Sequence, residues 1–363
     1  MAGKRSATIY DVAAAAFVSI ATVSRVLNGS IHVLPETRER VDEAIKQLQF
    51  VPSSAARSLS GGRRWSIGLA YPLDGDRSIV SPQREDDSSA LYNDAIVRGA
   101  SWQAAQLGYS LFACAVRTGQ DAEAQVIHRL YSAVDGIILT DRVVHNVGAM
   151  RIAKRMHAVH LSGSGTSQFG GTIRVDNAGG ISELVRHLAT VHQIVDFGFV
   201  GGSAESPDAT ARFEAFRDAV AKVGGNLRSE NLLNGEFSLA KAEAALTARL
   251  ADSAALPQAF VCANDQMAIG ALHVLRDQGI DVPRDLVVTG FDDIALANQV
   301  HPALTTIAQP SFELGVAAVT MVIGLLDREI EVGSVQTLPT SLVVRSSCGC
   351  ESPESGQAKK ANS

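Results

Sequence analysis

Residues 8–62 read TIYDVAAAAFVSIATVSRVLNGSIHVLPETRERVDEAIKQLQFVPSSAARSLSGG. This stretch decides the architecture of the first part of the chain. Thr8-Ile9-Tyr10-Asp11 is a capping box, with Thr8 at the N-cap and Asp11 three residues on, and it opens a helix over about 9–16. A break follows at Phe17-Val18. Ser19 caps a second helix, 19–27, which Asn28-Gly29 ends. Val12, Ala16, Val18, Val23 and Val26 share a core, and a third helix over 35–48 turns Val41, Ala44, Ile45 and Leu48 toward it. Pro52 closes the ordered part. Ser53–Leu59 is small and helix-competent but too short to be stable alone, and Gly61-Gly62 separates it from the rest of the chain.

Two short helices joined by a tight turn match a helix-turn-helix, whose second helix reads the major groove of duplex DNA from its N-terminal end. Arg25 suits a bidentate contact to a guanine edge, and Ile20 and Ala21 suit thymine methyls. Ser19, Thr22, Ser24, Asn28 and His32 suit phosphate or sugar contacts, which position without specifying. Thr8 and Ile9, at the start of the first helix, are grouped with them. A segment that folds on docking would let Leu59 wedge between base pairs in the minor groove. The helix pattern alone fits equally well a small solvated bundle with no DNA role.

Charge separates these readings. The net charge is −6, yet residues 1–64 hold nine Lys or Arg against five acids, which leaves the remainder at −10. A basic head on an acidic body is the footprint of a DNA-binding module joined to a domain with another task.

From Trp65 the pattern alternates. Strand-like runs fall at 66–71, 109–115, 134–140, 158–161, 172–175, 195–200, 258–262 and 285–290. Helix-like runs fall at 91–107, 121–132, 177–190, 209–223, 239–250, 264–278 and 311–327. Apolar strands separated by helices indicate parallel sheets covered on both faces, and two sheets fit the count. Ligands in such sheets sit beyond the carboxyl ends of the strands. Ser162, Asp176-Asn177, Asn264-Asp265 and Asp292-Asp293 all follow strands, and Arg212 lies near a helix start. A carboxylate, an amide and a guanidinium in one cleft can hold vicinal hydroxyls, with Phe237 as an apolar wall. Taken singly, each Asp or Asn is as readily a helix cap.

Other classes are poorly supported. No apolar run reaches the ~20 residues that span a bilayer, so no membrane partner is expected. Residues 12–23 resemble a signal-peptide core, but Asp11 and the Ser/Thr interruptions argue against export and for the cytoplasm. Four cysteines are too few for a disulfide scaffold, and reduced thiols are expected. Cys348-Gly-Cys350 has the wrong spacing for a zinc knuckle or redox pair, and His157/His160 and His187/His192 lack metal spacing with supporting acids. No metal site, cofactor, catalytic residue or enzyme motif is expected. The end of the chain, 351–363, reads as a disordered tail.

These residues resemble the lactose repressor (LacI/GalR) family of transcription regulators over 8 to about 347. The most specific stretches are YDVAAAAFVSIATVSRVLNG (10–29), AARSLSGG (55–62), CANDQMAIGAL (262–272), GFDD (290–293) and LTTIAQP (304–310). The resemblance implies an all-α helix-turn-helix head at 1–52 and a hinge helix and linker at 53–63. It also implies an α/β body at 64–350, like a type I periplasmic binding protein with two parallel-sheet subdomains. It places the N-terminal subdomain at about 64–173 plus 304–333 and the C-terminal one at about 174–303 plus 334–350.

It further implies a homodimer on double-stranded operator DNA, controlled by a sugar-like effector, with repression of carbohydrate-utilisation genes as the expected role. Carried over residue by residue, base reading falls on Ile20, Ala21 and Arg25, and the minor-groove leucine on Leu59. The effector contacts fall on Arg212, Asn264, Asp292 and Phe237, with Gln309 and Ser162 as weaker matches. A solute-binding receptor for sugar transport is the alternative class, against which the basic head counts.

Three positions depart from the family pattern. Phe17 replaces the turn glycine, Leu34 replaces the capping Ser or Asp before Pro35, and Phe50 replaces a tyrosine.

Overall fold

The computed structural model describes residues 7–27, 32–50, 63–73, 90–117, 121–144, 146–161, 170–252 and 254–351 of the 363. They divide into two compact units, Met1–Ser66 and Ile67–Ser363.

In the first unit, α1 is Ile9–Ala15, α2 is Ile20–Leu27 and α3 is Pro35–Leu48. The capping box is formed: Thr8 N and Oγ1 each donate to Asp11 Oδ2 at 2.7 Å. Ser19 Oγ accepts from Thr22 N at 3.1 Å, so it caps α2 from its N-cap position. The axes of α1 and α2 turn by 104°, within the range of a helix-turn-helix. Val12, Ala16, Val23, Val26, Val41 and Ala44 form the buried core, and Phe50 joins them. Phe50 therefore fills the core with its ring.

The turn after α1 explains why the family pattern has glycine at residue 17. Val18 N donates to Ala13 O at 3.0 Å and Phe17 N to Ala14 O at 3.3 Å. This is a Schellman motif, whose C′ residue must be left-handed. Phe17 adopts φ 53°, a region that a bulky side chain enters at a steric cost. Its ring is 87% exposed, so no packing offsets the strain. Leu34, the N-cap of α3, makes no side-chain capping bond.

The second unit contains two main sheets. The elements in order are β1 Ser66–Leu73, α4 Ala90–Gln106, β2 Ser110–Arg117, α5 Ala122–Leu130, β3 Gly136–Leu139, α6 Asn146–Ala153, β4 His157–Leu161, β5 Gly171–Val175 and α7 Asn177–Val191. Then come β6 Asp196–Gly201, α8 Pro207–Lys222, β7 Asn226–Asn234, α9 Leu239–Leu250, β8 Ala259–Cys262, α10 Asp265–Asp277 and β9 Val287–Thr289. After a 3-10 turn at Ala295–Asn298 follow β10 Thr306–Ala308, α11 Ser311–Asp327, β11 Val335–Leu338, β12 Ser341–Val343 and a last 3-10 turn, Ser346–Cys348. One sheet has the order β11-β5-β4-β3-β1-β2 and the other β7-β6-β8-β9. The pairings β1/β3, β3/β4, β4/β5 and β5/β11 are parallel, as are β6/β7, β6/β8 and β8/β9. The strands GIIL (β3) and AFVC (β8) are buried along their whole length, covered on both faces as continuous apolar runs require.

The crossings between the halves differ from the expected boundaries. β5 runs to Val175 in the six-stranded sheet, so the first crossing falls at Asp176 rather than 173/174. Leu304 and Ile307 are buried in the core of the four-stranded sheet. β10 adjoins β9 through bridges Thr289–Thr305 and Asp292–Ala308. Residues 304–308 therefore belong to the second half. β11 pairs with β5, Val335 opposite Thr172, so the chain returns only after Leu338, not at 334. The expected boundaries missed three short strands, β10, β11 and β12, each too brief to show a period.

Phe17→Gly should raise the stability of the head by about 1 kcal/mol, because it relieves a left-handed non-glycine residue while removing an exposed ring. Urea unfolding of the full chain with a fluorescent probe placed on the head checks it; a fall in stability would show that the Phe17 ring packs favourably.

Candidate functional site

Two surfaces carry the residues selected from sequence. On the head, Val23 and Val26 of α2 face the core, which leaves Ile20, Ala21 and Arg25 exposed together. Ser19 and His32 are exposed, and Thr8, Ile9, Thr22 and Ser24 are half-buried. The hydroxyls of Ser19 and Thr22 lie 2.9 Å apart, and that of Ser19 is spent partly on the cap of α2. Asn28, Leu59 and the rest of hinge residues 53–62 lie outside the described residues.

The second surface is a cavity of about 510 Å³ including its mouth, lined among others by Tyr92, Thr140, Asp141, Arg212, Phe237 and Asp292. Both halves of the body contribute. Thr140 and Asp141 follow β3 of the six-stranded sheet; Asn264 follows β8 and Asp292 follows β9 of the other. Arg212, on α8, is buried. Its Nε donates to Asn177 Oδ1 at 2.9 Å, Nη1 to Ala263 O at 2.6 Å and to Asp292 Oδ1 at 3.4 Å, and Nη2 to Gln309 Oε1 at 3.4 Å. The guanidinium also lies 3.6 Å over the Phe291 ring. Gln309 Nε2 donates to Asp292 Oδ1 at 2.6 Å. Asn177 Nδ2 donates to Asp208 Oδ1 at 2.8 Å. Ser206, the N-cap of α8, donates to Asp141 across the cleft. Phe237 packs on Gly202, where a Cβ would stand 2.3 Å from the ring.

Backbone strain gathers here. Arg142, Phe237 and Asp292 line the cavity at φ 62°, 61° and 114°, and Glu236 and Asp293 beside them are also left-handed. Each such residue costs on the order of 1–3 kcal/mol and persists where the surroundings fix it, commonly at ligand sites. Carboxylates are crowded as well. Burial and the neighbouring Asp208 raise Asp141 to about 7. Burial raises Asp292 to about 7 against the opposing pull of Arg212. Burial also lifts the Tyr92 hydroxyl well above its usual value. Thr140 Oγ1 is buried with no hydrogen-bond partner among the described residues.

Of the residues selected for a ligand, Arg212, Phe237, Asn264, Asp292 and Gln309 line this cavity. Asp176 does not. Its Oδ1 accepts from Gly179 N at 2.8 Å as the N-cap of α7, and it faces a separate depression with Arg174 and Glu205. The capping reading thus holds for Asp176, and its neighbour Asn177 carries the contact to Arg212. Asn264 does both tasks, capping α10 through Met267 N at 2.9 Å while lining the cavity. Ser162 lies outside the described residues. Asp141 was missed although it follows a strand, the same signal that singled out Asp292. Tyr92 and Asn93 sit within a helix, and Asp208 at a helix start, where no local pattern marks them.

The region 8–53 matches the family model for bacterial regulatory proteins of the lacI family, and 185–348 matches that for a periplasmic binding protein-like domain. The transcriptional repressor MelR of Bacillus subtilis is 30% identical over 361 residues, 95% of this chain and 98% of the relative. The structure of the Lac repressor dimer bound to operator and the anti-inducer ONPF superposes with a TM-score of 0.75 at 27% identity, covering 95% of this chain and 99% of that one. The CelR–cellobiose complex does so at 0.67 and 25%, covering 94% and 99%. The chain belongs to the lacI family of DNA-binding transcription regulators, with an effector-binding domain, and is not an enzyme. No single helix among the described residues is long and apolar enough to cross a membrane.

The raised carboxyls set a pH dependence. Their folded values near 7 exceed the unfolded ~4, so their contribution to stability is fully present below about pH 4 and is lost as pH rises through 7. Asp292→Asn should flatten the fall in unfolding midpoint between pH 5 and 8, removing up to ~1 kcal/mol per pH unit. Urea titrations across that range read it; parallel slopes for both proteins would show that Asp292 does not hold its proton.

Proposed function

We propose that this chain is a homodimeric repressor of carbohydrate-utilisation genes in the cytoplasm, whose grip on double-stranded operator DNA is set by a sugar or sugar derivative in the cavity of the body. The observation that carries the sugar assignment is the balance of hydrogen-bonding groups. Arg212 spends its donors inside the protein, whereas Asp141, Asp208 and Asp292 crowd three carboxyls around the space. A site rich in acceptors, whose buried cation is already paired, suits a neutral ligand that donates from several hydroxyls. The three carboxyls outnumber Arg142, the other cation that lines the cavity, so an anion would meet net repulsion. Phe237 offers a ring face to the apolar side of a pyranose, and Asn264 and Gln309 supply amides. The cellobiose bound by CelR is a ligand of that chemistry.

On the head, Ile20, Ala21 and Arg25 are the base-reading set, exposed as a direct reader must be. Thr8, Ile9, Ser19, Thr22, Ser24, Asn28 and His32 position the helix against the backbone, and Leu59 enters the minor groove. Both halves of the body line the cavity, so a ligand changes their relative preference and thereby the spacing of the two heads in a dimer. Such a shift is limited by the ligand's differential affinity for the two states.

A thermal-shift screen of mono- and disaccharides on the full chain tests the ligand class. A sugar at 100 times its Kd adds about 2.7 kcal/mol of apparent stability, and Asp292→Ala should abolish that gain while keeping operator binding. If no sugar shifts the wild type while a charged metabolite does, the carbohydrate assignment fails. Arg25→Ala should relax discrimination at one base pair by about 1–3 kcal/mol in gel-shift titrations with operator variants. A uniform loss on every sequence would make Arg25 a phosphate contact instead.

A further inference from the structure

The fold assembles four potential metal ligands that sequence spacing kept apart. His187, His192, Cys348 and Cys350 each present one donor atom, and all four atoms lie within 4.8 Å of one another. Cys348 Sγ is 3.6 Å from His187 Nε2, Cys350 Sγ is 3.8 Å from His187 Nε2, and Cys350 Sγ is 3.4 Å from His192 Nε2. Zinc bonded at ~2.3 Å to sulfur and ~2.0–2.1 Å to nitrogen in a tetrahedron requires sulfur–nitrogen edges of about 3.6 Å. The three observed edges straddle that value. We propose that this cluster is a structural zinc site of the Cys2His2 type, which clips the end of the effector-binding body to α7.

The chain conformation makes the site. Residues five apart in a continuous helix point about 140° away from each other, which is why His187 and His192 gave no metal signal. But α7 ends at Val191, and His192 is its C-cap at φ −105° and ψ 1°. The rings then meet edge to face, with centroids 5.1 Å apart. On the other side of the site, Gly349 takes φ 99°. This left-handed residue reverses the chain between Cys348 and Cys350, so both thiols turn to the same side. A Cβ at Gly349 would also stand 3.5 Å from the His192 ring. The Cys-x-Cys spacing that looked wrong for a knuckle works because the other two ligands come from a distant helix.

The donor set points to zinc. Two thiolates with two imidazoles favour a tetrahedral d10 ion over hard cations, which prefer oxygen. Four protein ligands leave no open position for water, the arrangement of a structural centre. Cys348 is buried while the other three are half-buried, so the ion has a route in. Binding releases the two thiol protons; one of them now serves the 3.2 Å hydrogen bond from Cys348 Sγ to Arg345 O. The segment so clipped matters for the fold. The Ser347 hydroxyl accepts from Thr305 N and donates to Val288 O, and β12 just before it pairs with β10.

The test uses the full chain purified without a metal-affinity tag or chelator. Elemental analysis should find about one zinc per chain, lost in Cys350→Ser and His192→Ala and retained in Cys114→Ser. After removal of zinc under reducing conditions, cobalt(II) should give the visible bands of a tetrahedral ion with thiolate charge transfer. A chelator should lower the melting temperature of the wild type and leave that of Cys350→Ser unchanged. A zinc-free wild type that gives no tetrahedral cobalt spectrum overturns the proposal, as does zinc retained in Cys350→Ser or a Cys348–Cys350 disulfide in freshly prepared protein. Should the variants fail to fold, the cobalt spectrum of the wild type decides alone.

Discussion

The body depends on one buried cation. The Arg212 side chain is 4% exposed, and a charge out of water must be paired and hydrogen-bonded or it destabilises the fold by several kcal/mol. Its partners dictate where four separate segments can go. Asn177 begins α7 immediately after the first crossing between the halves. Ala263 ends β8, Asp292 lies in the strained turn after β9, and Gln309 stands where the chain crosses back before α11. The guanidinium thus ties together two of the three crossings and the floor of the cavity. The buried Phe291 ring lies beneath it, 3.6 Å from centroid to guanidinium carbon.

This arrangement makes the cavity a place where binding and domain geometry share the same bonds. Asp141 belongs to one half and Ser206 to the other, and they bond directly across the gap. Asp141 follows β3 and Ser206 caps α8, so this bond joins the halves away from the crossings, whereas Asn177 and Gln309 stand at crossings and bond to Arg212. Strain at Arg142, Phe237 and Asp292 stiffens the lining, since a backbone held in a sparsely populated region has little freedom to adjust.

Legibility from sequence followed element length and locality. The head was readable because its signals are local: a capping box at Thr8, a cap at Ser19, and valines spaced for one face. The long alternation of strands and helices in the body was readable for the same reason. β10, β11 and β12 have three or four residues each, too few for a period, and with them went the positions of the crossings. In the cavity, the polar residues just after β8 and β9 were found, Asn264 and Asp292, whereas Asp141 just after β3 was passed over despite the same signal. Asp176 shows the limit of that rule, because a cap and a ligand group have the same sequence signature. The cluster of His187, His192, Cys348 and Cys350 was illegible because it depends on where α7 stops and on a left-handed Gly349, neither of which residue spacing encodes.

The departures in the head act on stability and leave the reading face alone. Phe17 sits at the C′ position of a Schellman turn and Leu34 at an uncapped helix start, and both side chains point to solvent at 87% and 72% exposure. Each subtracts on the order of 1 kcal/mol from a unit whose core, among the described residues, is eight buried side chains. Neither belongs to that core, where Val23 and Val26 hold α2 in register and so present Ile20, Ala21 and Arg25. Binding to DNA adds stability by an amount set by ligand concentration and affinity, whatever the head's own stability, so it does not cancel these losses in the free protein. The losses at Phe17 and Leu34 therefore lower the folded fraction of the free head without altering the side chains that α2 exposes.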